Sequence, residues 1–430
     1  GIIMSYVTGL KCLNCGADYP ASRLFEGCPR CKTDEMISNL DVKYDYERIS
    51  ERLSRDLLEK RRAQGLWKYE ELLPIENKRH MLTLGEGQTP LIRCERLGAE
   101  IKIKHLYLKD ESRNPTWSFK DRLCCLAISK GLDFRARVIT ALSTGNHGAS
   151  TAAYAAKAAI DCVIFTMSYV PKTMLTLMQV YGAKIVVLEE EKDFGFYPYS
   201  LMSRCVREYD WYPTSTYTLP PTGNPYGVEG YKTIGYEICE QLAWNTPDEI
   251  FVPSGYAFCL YGIWKAICEF KNFSFVDQTP SMIAVEPESG SPLTNALKKK
   301  LNYVEKVPTK PTVAFSICVA SSSYAGLRAI RESKGSTSMV ADKEIMAMQR
   351  MIAATEGIYS ESSSAAAVAG AKKMREEGYI EKDDVVVCII SSGGLKDPET
   401  TQAILPKPRA IKPNWSDFKK VLKETYGFII

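Results

Sequence analysis

Residues 114–122 read NPTWSFKDR. One lysine, Lys120, stands between Phe119 and Asp121, just after an Asn-Pro turn. Leu123, Cys124, Cys125 and Leu126 follow it. These neighbours draw the lysine stem into an apolar setting. Burial disfavours the charged ammonium, so such a lysine is less basic than one in water. A neutral amine is a nucleophile for carbonyl groups. The same stretch could open a helix with a solvated surface lysine, so the rest of the chain has to decide.

Three further loops bear on that choice. STGNHGAS, residues 143–150, follows the apolar run RVITAL and precedes an alanine-rich stretch. Gly145 and Gly148 allow a sharp turn that points backbone N–H groups at an anion. VPSGYAFCLYG, residues 252–262, is another strand-to-helix junction. Its free N–H groups, over Gly255, Tyr256, Ala257, Phe258 and Cys259, suit a phosphate. SSGGLKD, residues 391–397, follows VVVCII. An amine nucleophile, an anion nest, a helix-start phosphate site and a Ser/Gly loop together suit an aldehyde cofactor that carries a phosphate. That cofactor is pyridoxal 5′-phosphate (PLP).

Four of the fourteen cysteines form a pattern of their own. Cys12 and Cys15, then Cys28 and Cys31, are two C-x-x-C pairs with twelve residues between them. This spacing suits one tetrahedral Zn²⁺ held by four thiolates, a structural site with no open position. Two disulfides are the competing reading, and a reducing cytosol favours zinc. The other cysteines lie in apolar runs, such as Cys162 in DCVIF and Cys388 in VVVCII, and read as small buried hydrophobes.

The elements that must position these loops follow from pattern. The chain has 430 residues, 45% hydrophobic and 25% charged, and a net charge of +4. Its length predicts two or three domains. The run KKK at 298–300 is a solvated face, and no basic stripe suggests nucleic acid. No apolar run reaches membrane-span length. The start lacks a basic region followed by a cleavage site, so cytoplasmic residence is expected. Residues 1–40 read as a ribbon that needs its metal to fold. Residues 44–64 have apolar positions at helical spacing. Beyond GEGQTPL (85–91), short apolar runs alternate with helical ones: ARVITAL, CVIFTM, KIVVLEE, EIFVPS and VVVCII. Continuous apolar strands between helices predict parallel sheets covered on both faces. The fold class is therefore α/β and doubly wound, with ligands at the carboxyl ends of strands. From Ser416 on, Phe418, Val421, Leu422 and Thr425 share one face, which predicts a packed amphipathic helix.

NPTxSFKDR, STGNxG, NPYxxEGxKT and GLKD occur in one order along the chain. In this the chain resembles the threonine synthase branch of the fold-type-II PLP enzymes, from about GEGQTPL to SSGGLKD. The group also holds serine/threonine dehydratases and the tryptophan synthase β subunit. The resemblance implies two doubly wound domains: a large PLP-binding one (41–125 plus 241–430) and a small one (126–240), behind a zinc ribbon (1–40). It implies that Lys120 holds PLP as a Schiff base and then serves as base on the substrate Cα–H. Asn146 would hydrogen-bond the cofactor's 3′ oxygen, and Phe119 would flank its ring. Ser391 matches the hydroxyl residue beside the pyridine nitrogen. A neutral hydroxyl there keeps the ring unprotonated and favours loss of a β or γ leaving group. Ser143, Thr144, Gly145 and His147 would hold the substrate carboxylate, with Thr89 and Thr222 as further substrate contacts. Relatives imply a homodimer acting on a small amino acid. Asp121 reads as a helix-start charge, Glu361 as helix-entry chemistry, and His80 and His105 as structural.

Two departures qualify the resemblance. The family's phosphate loop reads G-N-x-G-N or G-N-G-G, whereas this chain has Gly255 to Cys259. A positive-φ glycine position would not accept Phe258 readily. The loop therefore takes another path or binds the cofactor more weakly. In the family's N-S-x-N-x-x-R-L-E-G, the first asparagine is Pro221 here, the serine is Thr222 and the arginine is Gly227. Loss of that guanidinium argues against O-phosphohomoserine as substrate. Trp117, where many relatives have glycine, is a third change near the pocket. The expected activity is elimination or replacement at Cβ or Cγ of a small amino acid, as a lyase or synthase. Genuine threonine synthase and a serine/threonine dehydratase-like ammonia lyase are the alternatives. A PLP-binding protein without turnover is the reading from another class, motivated by the altered loop.

Overall fold

Three sheets organise the residues described by the structure, a computed structural model that covers 5–62, 64–189 and 197–430. Strands β1 (Val7–Cys12), β2 (Asp18–Tyr19) and β3 (Leu40–Tyr44) form an antiparallel sheet in the order β2-β1-β3. The ribbon sheet therefore extends past residue 40. Strands β4 (Leu91–Arg93) and β5 (His105–Asp110) begin a larger sheet. The chain then leaves it to build β6 (Val138–Leu142), β7 (Asp161–Met167), β8 (Lys184–Leu188) and β9 (Tyr212–Pro213), parallel in the order β8-β7-β6-β9. It returns through β10 (Glu249–Pro253), β11 (Ser281–Pro287), β12 (Ser336–Val340) and β13 (Val385–Ile390). The large sheet runs β12-β11-β10-β13-β5-β4, and only β4 is antiparallel.

The five apolar runs become β6, β7, β8, β10 and β13. All five residues of β10 are buried, as a strand covered on both faces requires. Strand β8 is the exception. It is an edge strand, and Val186 and Val187 are exposed. The ends of β5, β6, β10 and β13 lead into NPTWSFKDR, STGNHGAS, PSGYAFC and SSGG, so the four loops gather at the carboxyl ends of parallel strands.

Two helical expectations change. Residues 44–64 form two short helices, Tyr46–Ser50 and Arg55–Lys60. Ser54 is extended and its side chain accepts from Leu57 N, which starts the second helix afresh. The tail forms the expected helix, Trp415–Tyr426, but buries none of its residues. An exposed segment with Pro406, Pro408 and Pro413 precedes it, and Val421 and Leu422 are only half-buried; the amphipathic pattern alone could not place its apolar face. No helix among the described residues is long and apolar enough to cross a membrane.

In the ribbon, Cys12, Cys15, Cys28 and Cys31 bring their sulfurs within 4.8 Å of one another. This cluster is compatible with one tetrahedral metal ion.

The turn that carries Lys120 rests on a buried charge network. Arg122, two residues past Lys120, is wholly buried. Its guanidinium donates to Glu111 at 2.5 and 2.9 Å, to Glu237 at 2.5 and 2.9 Å, to Thr233 at 2.8 Å and to Thr89 at 3.0 Å. Lys109, also wholly buried, donates to Glu237, Gln241 and the Thr89 carbonyl, each at 2.8 Å. The two cations and two carboxylates balance, so this network carries no net charge.

Burial alone would raise the Glu237 pKa. Arg122 and Lys109 outweigh it and hold the carboxyl at about 2, against 4.5 in water. A depressed carboxyl pKa stabilises the fold above pH 4.5, and that contribution is lost as pH falls toward 2. The shift corresponds to about 3 kcal/mol. Glu237→Gln leaves two buried cations with one carboxylate. Urea unfolding at pH 7 should show a loss of about 3–5 kcal/mol. The stability lost on acidifying from pH 4.5 to 2 should be smaller than in the parent protein. Equal stability of parent and variant at pH 7 would contradict this account.

Candidate active site

A cavity of about 540 Å³ opens between the two parallel sheets, at the end where the four loops meet. Its wall includes Lys120, Asn146, His147, Tyr231, Glu361 and Ser391. The volume falls within the range of small-molecule and cofactor sites, roughly 300–1,000 Å³.

Lys120 opens the helix Lys120–Asp133. The turn before it is tied to the last loop: Phe119 N donates to the Ser391 carbonyl at 2.8 Å, and Ser118 bridges Ser392. Asp121 is buried and accepts from Thr116 and from the Ser150 hydroxyl, so it joins this turn to the helix Asn146–Ala158. The Lys120 ammonium lies 5.1 Å from the Phe119 ring centroid and 5.9 Å from that of Tyr231. No carboxylate pairs with it among the described residues. Burial lowers its pKa, only partly opposed by the thiols of Cys124 and Cys259. This is the poorly solvated amine that a carbonyl-seeking nucleophile requires. Trp117 has φ +66° and is 46% exposed, so its ring turns away from the cavity.

Asn146 donates its amide N–H to Glu361 at 2.8 Å. Its own Oδ1 has no partner, although it is buried. The Tyr231 hydroxyl and the Ser363 hydroxyl are also buried, unpartnered and on cavity-lining residues. Buried polar atoms left without partners are costly, so three at one cavity are what a missing polar ligand would satisfy. Phe119 and Tyr231 pack ring to ring at 5.3 Å and 40° and form an aromatic flank. Ser391 shares a hydrogen bond of 2.7 Å with Ser364.

Glu361 precedes the helix Ser362–Glu376 but makes no capping bond. Its side chain turns into the cavity instead, accepting from Asn146, Ser392 and Ser316. Burial raises its pKa, and the Ser392 and Asn146 hydrogen bonds oppose the rise. The helix-entry reading is thus corrected. Tyr231 was invisible in the sequence because it occupies a variable position of NPYxxEGxKT. Only an unexplained acid before SSSAAA hinted at Glu361.

In the loop after β6, the Ser143 hydroxyl accepts from Gly145 N at 3.0 Å and Gly148 N at 2.7 Å. Those two amides are spent inside the loop, and Gly145 is not part of the cavity wall. Ser143, Thr144 and His147 do line it. His147 is held neutral, since burial and nearby Lys120 push its pKa far down. Its Nε2 meets the Thr214 hydroxyl at 3.0 Å.

The loop after β10 takes a path that accommodates its side chains. The left-handed residue is Ala257, at φ +62°, and Phe258 is the first residue of the helix Phe258–Asn272. The strain expected at Phe258 therefore falls on a methyl group, which is the smaller cost. No side chain caps this helix start, and its first amides are free to hold an anion. Gly255, Tyr256, Ala257, Phe258 and Cys259 all line the cavity. The Tyr256 hydroxyl meets that of Tyr199 from the small sheet's side.

Thr89 and Thr222 lie outside the wall. Thr89 is buried in the Arg122 network, with its hydroxyl on Glu111. The Thr222 hydroxyl donates to the Phe25 carbonyl at 2.6 Å. The polar groups expected at the substrate are already committed inside the protein. His80 pairs with Asp133 at 2.6 Å, in keeping with a structural role.

Comparison with known proteins agrees with this geometry. The family model for pyridoxal-phosphate dependent enzymes matches residues 82–392. A threonine synthase of Methanocaldococcus jannaschii is 34% identical over 417 residues, covering 96% of this chain and 99% of that protein. The threonine synthase of Methanosarcina acetivorans is 37% identical over 412 residues, covering 94% and 96%. Among solved structures, threonine deaminase isoform 2 of Solanum lycopersicum superimposes with a TM-score of 0.62 at 21% identity, over 74% of this chain and 87% of that one. Diaminopropionate ammonia lyase of Escherichia coli does so with a TM-score of 0.64 at 19% identity, over 75% and 89%. The structural matches speak for the fold. With the family model and the two relatives, they establish that the chain belongs to the pyridoxal-phosphate dependent enzymes, in their threonine-synthase-like branch.

Proposed function

We propose that the enzyme catalyses elimination or replacement at Cβ or Cγ of a small amino acid whose leaving group is not a phosphate. The observation that carries this is the charge of the cavity wall. Among the described residues lining it, Lys120 is the single cation, since His147 is neutral. The free amides at Phe258–Leu260 suffice for the cofactor's own phosphate. A second phosphate on the substrate would have no guanidinium to meet it. Gly227 cannot supply one, because a Cβ there would lie 3.1 Å from Leu123 and Ala127. Pro221 lies outside the wall, with its carbonyl bound by Asn39. Enclosing a phosphate without a cation costs several kcal/mol.

PLP, when bound, supplies the electron sink for a carbanion at Cα. Lys120 is the residue to hold its aldehyde and then to take the proton from Cα. Asn146 Oδ1 and the Tyr231 hydroxyl are the free groups to orient cofactor and substrate. Ser143 accepts two N–H groups and keeps its own O–H to donate to a substrate carboxylate. Ser391, paired with the Ser364 hydroxyl rather than a carboxylate, would offer the pyridine nitrogen a neutral partner and no anion to keep it protonated. That supports elimination over transamination. A structural Zn²⁺ in the ribbon completes the reading. The Cys12–Cys31 and Cys15–Cys28 sulfur separations are 3.6 and 3.7 Å. Zn–S bonds of about 2.3 Å in a tetrahedron require roughly 3.8 Å. The relatives' name favours one competing reading, threonine formation, for which the resemblance implies O-phosphohomoserine as substrate.

An absorption titration decides between the two. The protein with PLP should show a visible band that Lys120→Ala abolishes. Serine, threonine or O-acetylserine should convert that band, and O-phosphohomoserine or O-phosphoserine should leave it unchanged. Release of threonine from O-phosphohomoserine would refute the charge argument. The purified protein should also contain one zinc per chain by mass spectrometry, and Cys28→Ser should lose it along with most thermal stability. A metal-free protein with the parent's melting temperature would remove zinc from the account.

A further inference from the structure

Asn39 joins the cysteine ribbon to two walls of the cavity. It is buried, 4% exposed, just before β3. Its Nδ2 donates to the Pro221 carbonyl at 3.2 Å and the Thr222 carbonyl at 3.1 Å. Its Oδ1 accepts from Ala325 N at 2.9 Å. Two acceptors on one side and a donor on the other require a side-chain amide. A carboxylate would lose the first pair of bonds and a hydrophobe would lose all three.

Each tie leads to the cavity. Beyond Thr222, Gly223 N donates to the Thr216 hydroxyl at 3.0 Å, and both residues line the cavity. A Cβ on Gly223 would lie 3.0 Å from the Phe258 ring, so this wall and the helix start are in close contact. Beside Ala325, the Ser322 hydroxyl donates to the Gly255 carbonyl at 2.6 Å and the Ser323 hydroxyl to the Tyr256 carbonyl at 2.5 Å. Gly326 leaves no room for a Cβ against Ala257, which would be 2.4 Å away. The altered phosphate loop is thus held from behind by the segment that Asn39 holds.

On its other side Asn39 and its neighbour Ser38 are held by the two cysteine knuckles. Leu13 N donates to the Asn39 carbonyl at 3.2 Å, Asn14 N to the Ser38 hydroxyl at 3.1 Å, and Cys28 N to the Ser38 carbonyl at 3.0 Å. Both cysteine knuckles therefore grip residues 38–39, one from each C-x-x-C pair.

We infer that Asn39 is a positioning residue that sets the spacing of the 216–224 and 255–259 walls, and that the metal ribbon acts on the active site through it. The inference builds on the PLP and zinc readings, but the first readout below, exchange in the Asn39 variants, needs no cofactor.

The test compares the parent, Asn39→Ala and Asn39→Asp by hydrogen exchange without PLP. In Asn39→Ala, amides in 216–224 and 255–261 should exchange about tenfold faster, with β1 and β3 unchanged. Asn39→Asp keeps the acceptor for Ala325 N, so it should protect 255–261 and still loosen 216–224. PLP affinity of Asn39→Ala should fall about tenfold, and KM for the amino acid should rise more than kcat falls. Chelation of the parent's metal should loosen the same two segments, and should add much less there in Asn39→Ala, where only the Thr222–Phe25 and Tyr324–Asn14 ties remain. Parent-like exchange in Asn39→Ala overturns the proposal. So does a rise spread evenly over the ribbon, which marks general destabilisation. If Asn39→Ala fails to fold, equal exchange of the two walls in Asn39→Asp overturns it instead. An undiminished chelation effect in Asn39→Ala removes the metal's route. A parent protein that binds no PLP would refute the cofactor reading while the exchange data still judge Asn39.

Discussion

Arg122 lies wholly inside the protein, two residues from Lys120, and its charge has to be neutralised there. Glu111 at the end of β5, Glu237 on the helix Lys232–Gln241 and the loop at Thr89 converge on it. A guanidinium accepts such partners only in a planar, forked arrangement. The network therefore fixes the start of the Lys120 helix relative to the large sheet. A buried ion cluster is weak evidence for stability in itself, and its clearer consequence is position. Glu111 and Glu237 are spent on Arg122 and Lys109, and among the described residues no carboxylate pairs with Lys120.

The loop after β10 shows how a departure from the family pattern is absorbed. A left-handed residue is still needed after β10, and here it is Ala257. An alanine in this conformation costs about 1–2 kcal/mol relative to a relaxed backbone. Serine hydroxyls on the carbonyls of Gly255 and Tyr256 hold the turn, and Gly326 makes space for the Ala257 methyl group. Phe258, freed from the turn, packs over Gly223 as the first residue of its helix. Backbone amides, which every sequence has, keep the anion site available when the side chains of the loop change.

The distal part of the cavity has changed in character as well. Tyr199 and Tyr256 face each other through their hydroxyls there, whereas Gly227, matched by the resemblance to an arginine, lies outside the wall against Leu123 and Ala127. Neutral phenols select by shape and single hydrogen bonds, whereas a guanidinium selects for phosphate. This contrast separates the family, which is established, from the substrate, which the cavity must decide.

Much of this was legible in order along the chain. Lys120, the loops at 143, 255 and 391, and the four cysteines are set by local rules: an apolar run, a turn, a helix start or a knuckle within a few residues. The α/β class followed from alternating strand and helix runs for the same reason. The tertiary structure decided what depends on segments far apart in sequence. Glu361 reads as a helix-entry residue until Asn146, more than two hundred positions earlier, is seen to donate to it. Thr89 and Thr222 read as substrate contacts until Arg122 and Phe25 claim their hydroxyls. Tyr231 and Asn39 had no local signal, and the tail helix had a signal that its surroundings did not use. A side chain's type and local conformation are written in its neighbours, but its direction and its partners are fixed only when distant elements pack against it.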